Sequence, residues 1–302
     1  GGGGNDTFYG TGGDDDISGN SGNDTISYDA PLSEFSLNIL NDTTLELTHL
    51  AGEYGQDTVQ DVESFIFGGR VFSFDQMQSL NAPVDLNPDY EFIRPEGSGT
   101  ILQVGEGQIF ATLKEAVEAS SNGDTIILHE GVYEFEGHQS QNSENDTTVL
   151  VEHDLQIIGL GDVVFQRDAD GKTISKGIIN TVSEADLYIE NITFRDVGNS
   201  ANDAAGIHSK GGNLVVVNSS FINNENGILG GSEGSAFTIL DSDFTGNGHN
   251  GGDAHSVYIN QGESLKIENS TFLNGEAGHH IKSSTEYTTI LNSTLGDGSG
   301  TA

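Results

Sequence analysis

Five segments decide the fold: "LYIENITF" at 187–194, "LVVVNSSF" at 214–221, "FTILDSDF" at 237–244, "LKIENSTF" at 265–272 and "TTILNSTL" at 288–295. Their starts lie 27, 23, 28 and 23 residues apart, the spacing of a chain that completes one turn of a coil per unit. Every unit has an Asx residue at its fifth position, namely Asn191, Asn218, Asp241, Asn269 and Asn292. In a stacked coil these side chains are expected to form an inward ladder that hydrogen-bonds the backbone of neighbouring turns. Phe194, Phe221, Phe244, Phe272 and Leu295 are expected to stack in the core below it. A sandwich of two sheets would explain the strands but not the ladder.

A second strand precedes each of these units: "GIHSK" (206–210), "GILGG" (227–231), "SVYIN" (256–260) and "HIKSS" (280–284). The period of two places Ile207, Ile228, Val257 and Ile281 inside and His208, Leu229, Tyr258 and Lys282 outside in one row. Gly206, Gly227, Ser256 and His280 make a flanking row, also expected to face outward, and Lys210, Asn260 and Ser284 lie beyond it. Coils stack about 4.8 Å apart, so Tyr258, His280 and Lys282 are expected within reach of one another. The loop "GNGHNGGDAHS" (246–256) adds His249, Asp253 and His255 at the same edge, and His279 adjoins His280. With only ten Lys and Arg in 302 residues, such a concentration points to a site.

Upstream, Leu113, Ala116, Val117 and Ala119 share one face of a short helix, followed by a turn at Asn122-Gly123 and a strand at Thr125–Leu128. A helix there would plug the open end of the coil and protect its edge.

The first 27 residues divide into "GGGGNDTFY", "GTGGDDDIS" and "GNSGNDTIS", each with Gly at position 4, Asp at position 6 and an apolar residue at position 8. Glycine permits left-handed turns and exposes carbonyls, and Asp supplies a hard oxygen for Ca²⁺. "YGQDTVQDVESFIFGGRVFSF" (54–74) carries alternating pairs, Phe65 with Phe67 and Phe72 with Phe74, that predict two short strands around Gly68-Gly69. A Pro-rich stretch follows, dividing the chain into a module at 1–78, a linker at 79–104 and a coil at 105–302.

The net charge of −37 argues against nucleic acid and anionic lipid as partners and suits cation binding. No apolar run approaches the roughly 20 residues of a membrane span. The chain has no Cys, so an extracellular protein of this kind needs a staple other than disulfides, and Ca²⁺ is the candidate. The opening "GGGGND" lacks the features of a signal peptide and reads as a cut inside a longer polypeptide. The coil is likewise expected to continue past "GDGSGTA".

The tandem nonapeptides resemble the RTX repeat G-G-x-G-x-D-x-U-x, and the 54–74 segment resembles what commonly flanks it. That resemblance implies a parallel β-roll binding Ca²⁺ through Asp6, Asp15 and Asp24 with Gly1, Gly3 and Gly19. Units one and three would stack on the same side, so that Asp6 and Asp24 share a site, while unit two would need a partner that is weak or missing. It also implies a secreted, extracellular protein exported by a bacterial type I route. The coil resembles the right-handed parallel β-helix of pectate lyases, pectin esterases and alginate-active enzymes, with its N-terminal capping helix. The expected architecture is therefore all-β, a small calcium-binding β-roll before a parallel β-helix.

Mannuronan C5-epimerases and alginate lyases combine the same two parts. In this chain the module order is reversed, and the epimerase motif Y-G-F-D-P-H-E is absent. The function that follows is proton abstraction at C5 of a uronic-acid polysaccharide by a monomeric lyase or epimerase. Lys282 would neutralise the substrate carboxylate, His280 or His255 would act as base, and Tyr258 as acid, or as base beside a cation. His208, Lys210, Asn260, His279 and Asp253 would bind the polymer. A hydrolase would need paired carboxylates, for which Asp253 with Glu286 is the candidate pair. His249, Asp253 and His255 could instead hold a metal. The other class of function is a non-catalytic adhesin or binding rod.

Overall fold

The computed structural model describes the chain except residues 31, 50, 81–98, 137–147, 168–175, 183, 200–202, 250–253 and 297–302. The described residues fall into two compact units, the first built mainly of Gly1–Asp85 with Thr100–Gln103 and Gly107–Ile109, the second mainly of Phe110–Ala302 with Val104–Glu106.

In the first unit the strands Thr7–Tyr9 and Thr25–Tyr28 pair in parallel, Phe8 opposite Ile26, so units one and three do share a side. Unit two has a partner after all. Asp16–Ser18 pairs in parallel with Gln56–Gln60, Ile17 opposite Val59. The partner belongs to a fourth nonapeptide, "GEYGQDTVQ" at 52–60, with Gly55 at position 4 and Asp57 at position 6. Gly4, Gly13, Gly22 and Gly55 all have positive φ, and a Cβ on Gly55 would collide with the Gly13 carbonyl. The hairpin Phe35–Asn41 with Thr44–His49 is inserted between units three and four and hides the repeat. Ser64–Phe67 and Arg70–Ser73 form the expected hairpin, but Phe74 opens the helix Phe74–Leu80 instead of extending a strand.

The second unit is a right-handed parallel β-helix with three faces. The first carries Val149–Val151, Gly177–Thr181, Ala205–Ser209, Asn226–Gly230 and the start of Val257–Glu268. The second carries Asp124–Leu128, Leu155–Gly159, Leu187–Glu190, Leu214–Val217 and Ala236–Leu240. Val257–Glu268 and Ile281–Leu291 run through the corner and join these two faces. The third face runs from Gly131–Phe135 to Thr294–Gly296. Helix Leu113–Ala119 packs on Asp124–Leu128 and Val149–Val151 at the first coil. Its start is fixed by a capping box, in which Thr112 Oγ1 accepts from Glu115 N–H and the Glu115 carboxylate accepts from Thr112 N–H.

The phenylalanine column is present. Phe194, Phe221, Phe244 and Phe272 are fully buried, with successive ring centroids 4.9, 4.6 and 4.5 Å apart and planes within 7° of parallel. The rung spacing itself imposes this stacking.

The Asx ladder is present in part but does not point inward: the Asn191 amide donates to the Gly159 and Gly161 carbonyls of the coil before at 2.9 and 3.0 Å, and the Asn218 amide donates to Asn191 Oδ1 at 3.2 Å. Asn191, Asn218, Asp241, Asn269 and Asn292 all have φ between 45° and 57°, and those from Asn218 onward are exposed. They turn the corner between second and third faces, where Asn and Asp tolerate the left-handed conformation. The inward ladder is made by the serines that follow: Ser219, Ser242, Ser270 and Ser293 Oγ each accept a backbone N–H from the coil before. A second ladder, Asn224 and Asn247, is buried at the next corner, where each amide donates to a phenylalanine carbonyl one coil back.

Candidate functional site

The outward row of the first face exists in register. Leu150, Asn180, His208, Leu229, Tyr258 and Lys282 follow one another from coil to coil. The Lys282 ammonium stands 4.2 Å from the centroid of the Tyr258 ring, and both side chains are partly exposed. Asn260 is exposed one position beyond Ile259, beside Gly231, and His279 and Lys210 are exposed at the edges of this face.

Two expected catalytic residues lie elsewhere. The flanking row of Gly206, Gly227, Ser256 and His280 turns inward, because it sits at the corner where the alternation of an extended strand does not yet hold. A Cβ on Gly206 would stand 3.1 Å from Phe194 Cβ, and one on Gly227 3.0 Å from Phe244 Cδ1. His280 follows suit, its ring 6.3 Å from that of Phe272 and its two nitrogens shielded from solvent. His255 is buried as well. Its Nδ1 accepts the His279 N–H at 2.9 Å, and its ring meets the Tyr258 ring edge-on at 5.3 Å. It can position Tyr258 but does not present a base at the surface. Asp253 lies outside the described residues, and with it the Asp253–Glu286 pair and the His249–Asp253–His255 metal set.

Sequence reading missed the surroundings of His208. Asn180 is the next rung of its row, and aligning "GIINT" on Ile179 with Ile207 would have found it. The Asn180 amide donates to Gly177 O at 2.9 Å, which turns its oxygen toward His208 Nδ1 at 3.4 Å. That makes Nδ1 the protonated nitrogen of a neutral ring. Burial first, then the Lys176 and Lys210 charges, lower the His208 pKa to about 4. Lys176 pairs with Asp203 at 3.1 Å. Burial alone would raise Asp203, but the Asn199 hydrogen bond and Lys176 outweigh it and hold the carboxyl down.

A polar cavity of about 460 Å³ opens along the turns leading into this face, lined by Arg167, Asp196, Asn199, Asn223, His249 and Glu276. Tyr258 and Lys282 stand outside its wall, on an open surface.

In the first unit the repeat carboxylates climb one side as a ladder. Asp24 Oδ1 accepts the Asp6 N–H at 2.7 Å, and Glu63 Oε2 accepts the Asp24 N–H at 2.7 Å. Asp24 is fully buried, yet its Oδ2 has no hydrogen-bond partner. A dry, unpaired carboxylate oxygen is costly, and a cation held there would relieve it, so these residues fit Ca²⁺. Gly1 and Gly19 flank this ladder, and Gly3 bridges to Ser21. Asp15, on the opposite side, is exposed. Among the described residues no three His, Asp or Glu side chains converge as a metal site, so carbonyls would supply the remaining ligands.

Residues 1–30 match the RTX calcium-binding nonapeptide repeat. The rest of the chain is outside that match. A search of curated proteins finds no match. Among solved structures, the pectin methylesterase of Aspergillus niger aligns over 69% of this chain and 92% of its own, at 14% identity and a TM-score of 0.30. Among the described residues, no helix is long and apolar enough to cross a membrane.

Proposed function

We propose that the first face of the β-helix binds an acidic polysaccharide laid along the coil axis, and that Tyr258 and Lys282 carry out chemistry at C5 of a uronic acid unit. The observation that carries this reading is the Lys282 ammonium over the Tyr258 ring on adjacent rungs of an open row. An open face admits a polymer, and its rungs repeat every 4.8 Å or so, giving a chain of sugars successive contacts. Lys282 would neutralise the substrate carboxylate and so ease loss of the C5 proton. Tyr258, reacting as its phenolate, would take that proton and become a phenol. In a lyase the C5–H electrons form the C4–C5 double bond, the C4–O bond breaks and the Tyr258 phenol gives its proton to the departing oxygen; in an epimerase a proton from water is delivered to the other face of C5 while Tyr258 keeps the one it removed. Lys210, His208 and Asn180 would hold the polymer further along. The RTX repeat supports an extracellular setting, where calcium is plentiful.

The test follows ultraviolet absorbance of the unsaturated product and deuterium uptake at C5 on alginate, polygalacturonate and glucuronan with Ca²⁺ present. Tyr258→Phe is expected to lower whichever signal appears by about 10²-fold or more. Full activity in that variant would sink the assignment. The open surface around Tyr258 also favours a second reading, a binding module without turnover. Retarded migration in polymer-containing gels with no chemistry on any substrate would establish that one instead.

A further inference from the structure

The two edges of the β-roll solve one problem differently. On the first, Asp24 Oδ2 is aimed at the space above Gly19. A Cβ there would stand 2.5 Å from that oxygen and collide with the Asp61 carbonyl. The rung below repeats the close approach, since a Cβ on Gly1 would collide with Asp6 Oδ2 and stand 2.7 Å from the Gly19 carbonyl, though there Oδ2 also accepts the Gly2 N–H at 2.8 Å. Asp61 therefore presents its carbonyl in the upper rung where Gly19 does in the lower, although Asp61 lies beyond the matched repeat.

On the second edge Asp57 is equally buried, but both its oxygens are engaged. Oδ1 accepts the Asp15 N–H at 3.0 Å and Oδ2 accepts the Tyr28 hydroxyl at 2.7 Å. Gly10 opens the second nonapeptide as Gly1 and Gly19 open the first and third, and the space above it is filled by the Tyr28 ring.

We propose that this roll carries calcium on one edge only: Asp6 and Asp24 bind it with the carbonyls of Gly19 and Asp61, while on the other edge the Tyr28 hydroxyl takes the cation's place at Asp57. The chain thereby extends its metal site past residue 30 and gives up the one that four nonapeptides would otherwise build opposite. The proposal rests on calcium being the ion of the matched repeat.

Equilibrium dialysis of the full chain against Ca²⁺ tests it. Asp24→Asn is expected to weaken binding more than about tenfold and to lower the number of ions bound, because ligand charge sets calcium affinity over decades. Asp57→Asn, whose amide can still pair with the Tyr28 hydroxyl, is expected to change neither. An equal loss in Asp57→Asn overturns the one-edge assignment; a wild type that binds no calcium overturns the calcium reading as well. Should Asp57→Asn fail to fold, terbium soaked into wild-type crystals decides: anomalous density beside Asp24 alone supports the proposal, and density beside Asp57 overturns it.

Discussion

A histidine between two lysines is a charge that folding suppresses. His208 is 9% exposed, and its pKa of about 4 lies below the roughly 6.5 of an unfolded chain. Above pH 6.5 or so both states are neutral at this residue and it takes nothing from stability. As pH falls from there toward 4 the unfolded chain binds a proton that the folded one refuses, so stability drops, by about 3 kcal/mol at most, and levels off below. His208→Gln should flatten that part of the profile, read as the urea midpoint at successive pH values; an unchanged slope would mean the ring is not held neutral. The row containing His208 was legible because strand periodicity fixes which side a residue takes. His280 and His255 were misplaced because one sits at a corner and the other is drawn under Tyr258, and neither follows from a period of two.

At the scale of the element, the corners are where sequence and structure part. The Asx residue of each repeat was visible, and so was its bonding to the neighbouring coil at Asn191 and Asn218, but its outward placement at a left-handed corner was not. A side chain that bonds inward and a residue that turns a left-handed corner leave the same letter in the sequence. Asn269 separates the two roles, being exposed with φ 51°. Asn269→Ala keeps a Cβ in the left-handed region but loses the short polar side chain that makes Asn tolerate it, and should cost about 1 kcal/mol, whereas Asn269→Gly, which removes the Cβ, should cost clearly less. Comparable losses in both, measured by denaturant unfolding, would restore the hydrogen-bonding role. The phenylalanine column was legible for the opposite reason: an apolar residue recurring once per coil has no place but the interior. The fourth nonapeptide went unread because the inserted hairpin broke the tandem spacing, although Gly55, Asp57 and Val59 kept their positions.

For the whole molecule, the question is how a chain of net charge −37 holds two units together as folds. The described residues of the β-helix build a continuous interior of stacked phenylalanines, a serine ladder and a buried asparagine ladder. The β-roll has less to rest on. Its first two strands keep Phe8 and Ile17 only half-buried, and its ladder leaves the buried Asp24 oxygen unsatisfied. Repulsion among Asp6, Asp24 and Glu63 adds to that deficit at low salt. Metal binding there is therefore folding free energy for the roll and not for the coil. Chelation should remove or strongly lower one calorimetric transition, attributable by limited proteolysis to residues 1–78, and leave the transition of residues 105–302 where it was. Restoring Ca²⁺ should bring the first transition back at a temperature that rises with ion concentration. If chelator instead collapses the chain in one cooperative step, the two units are one thermodynamic body.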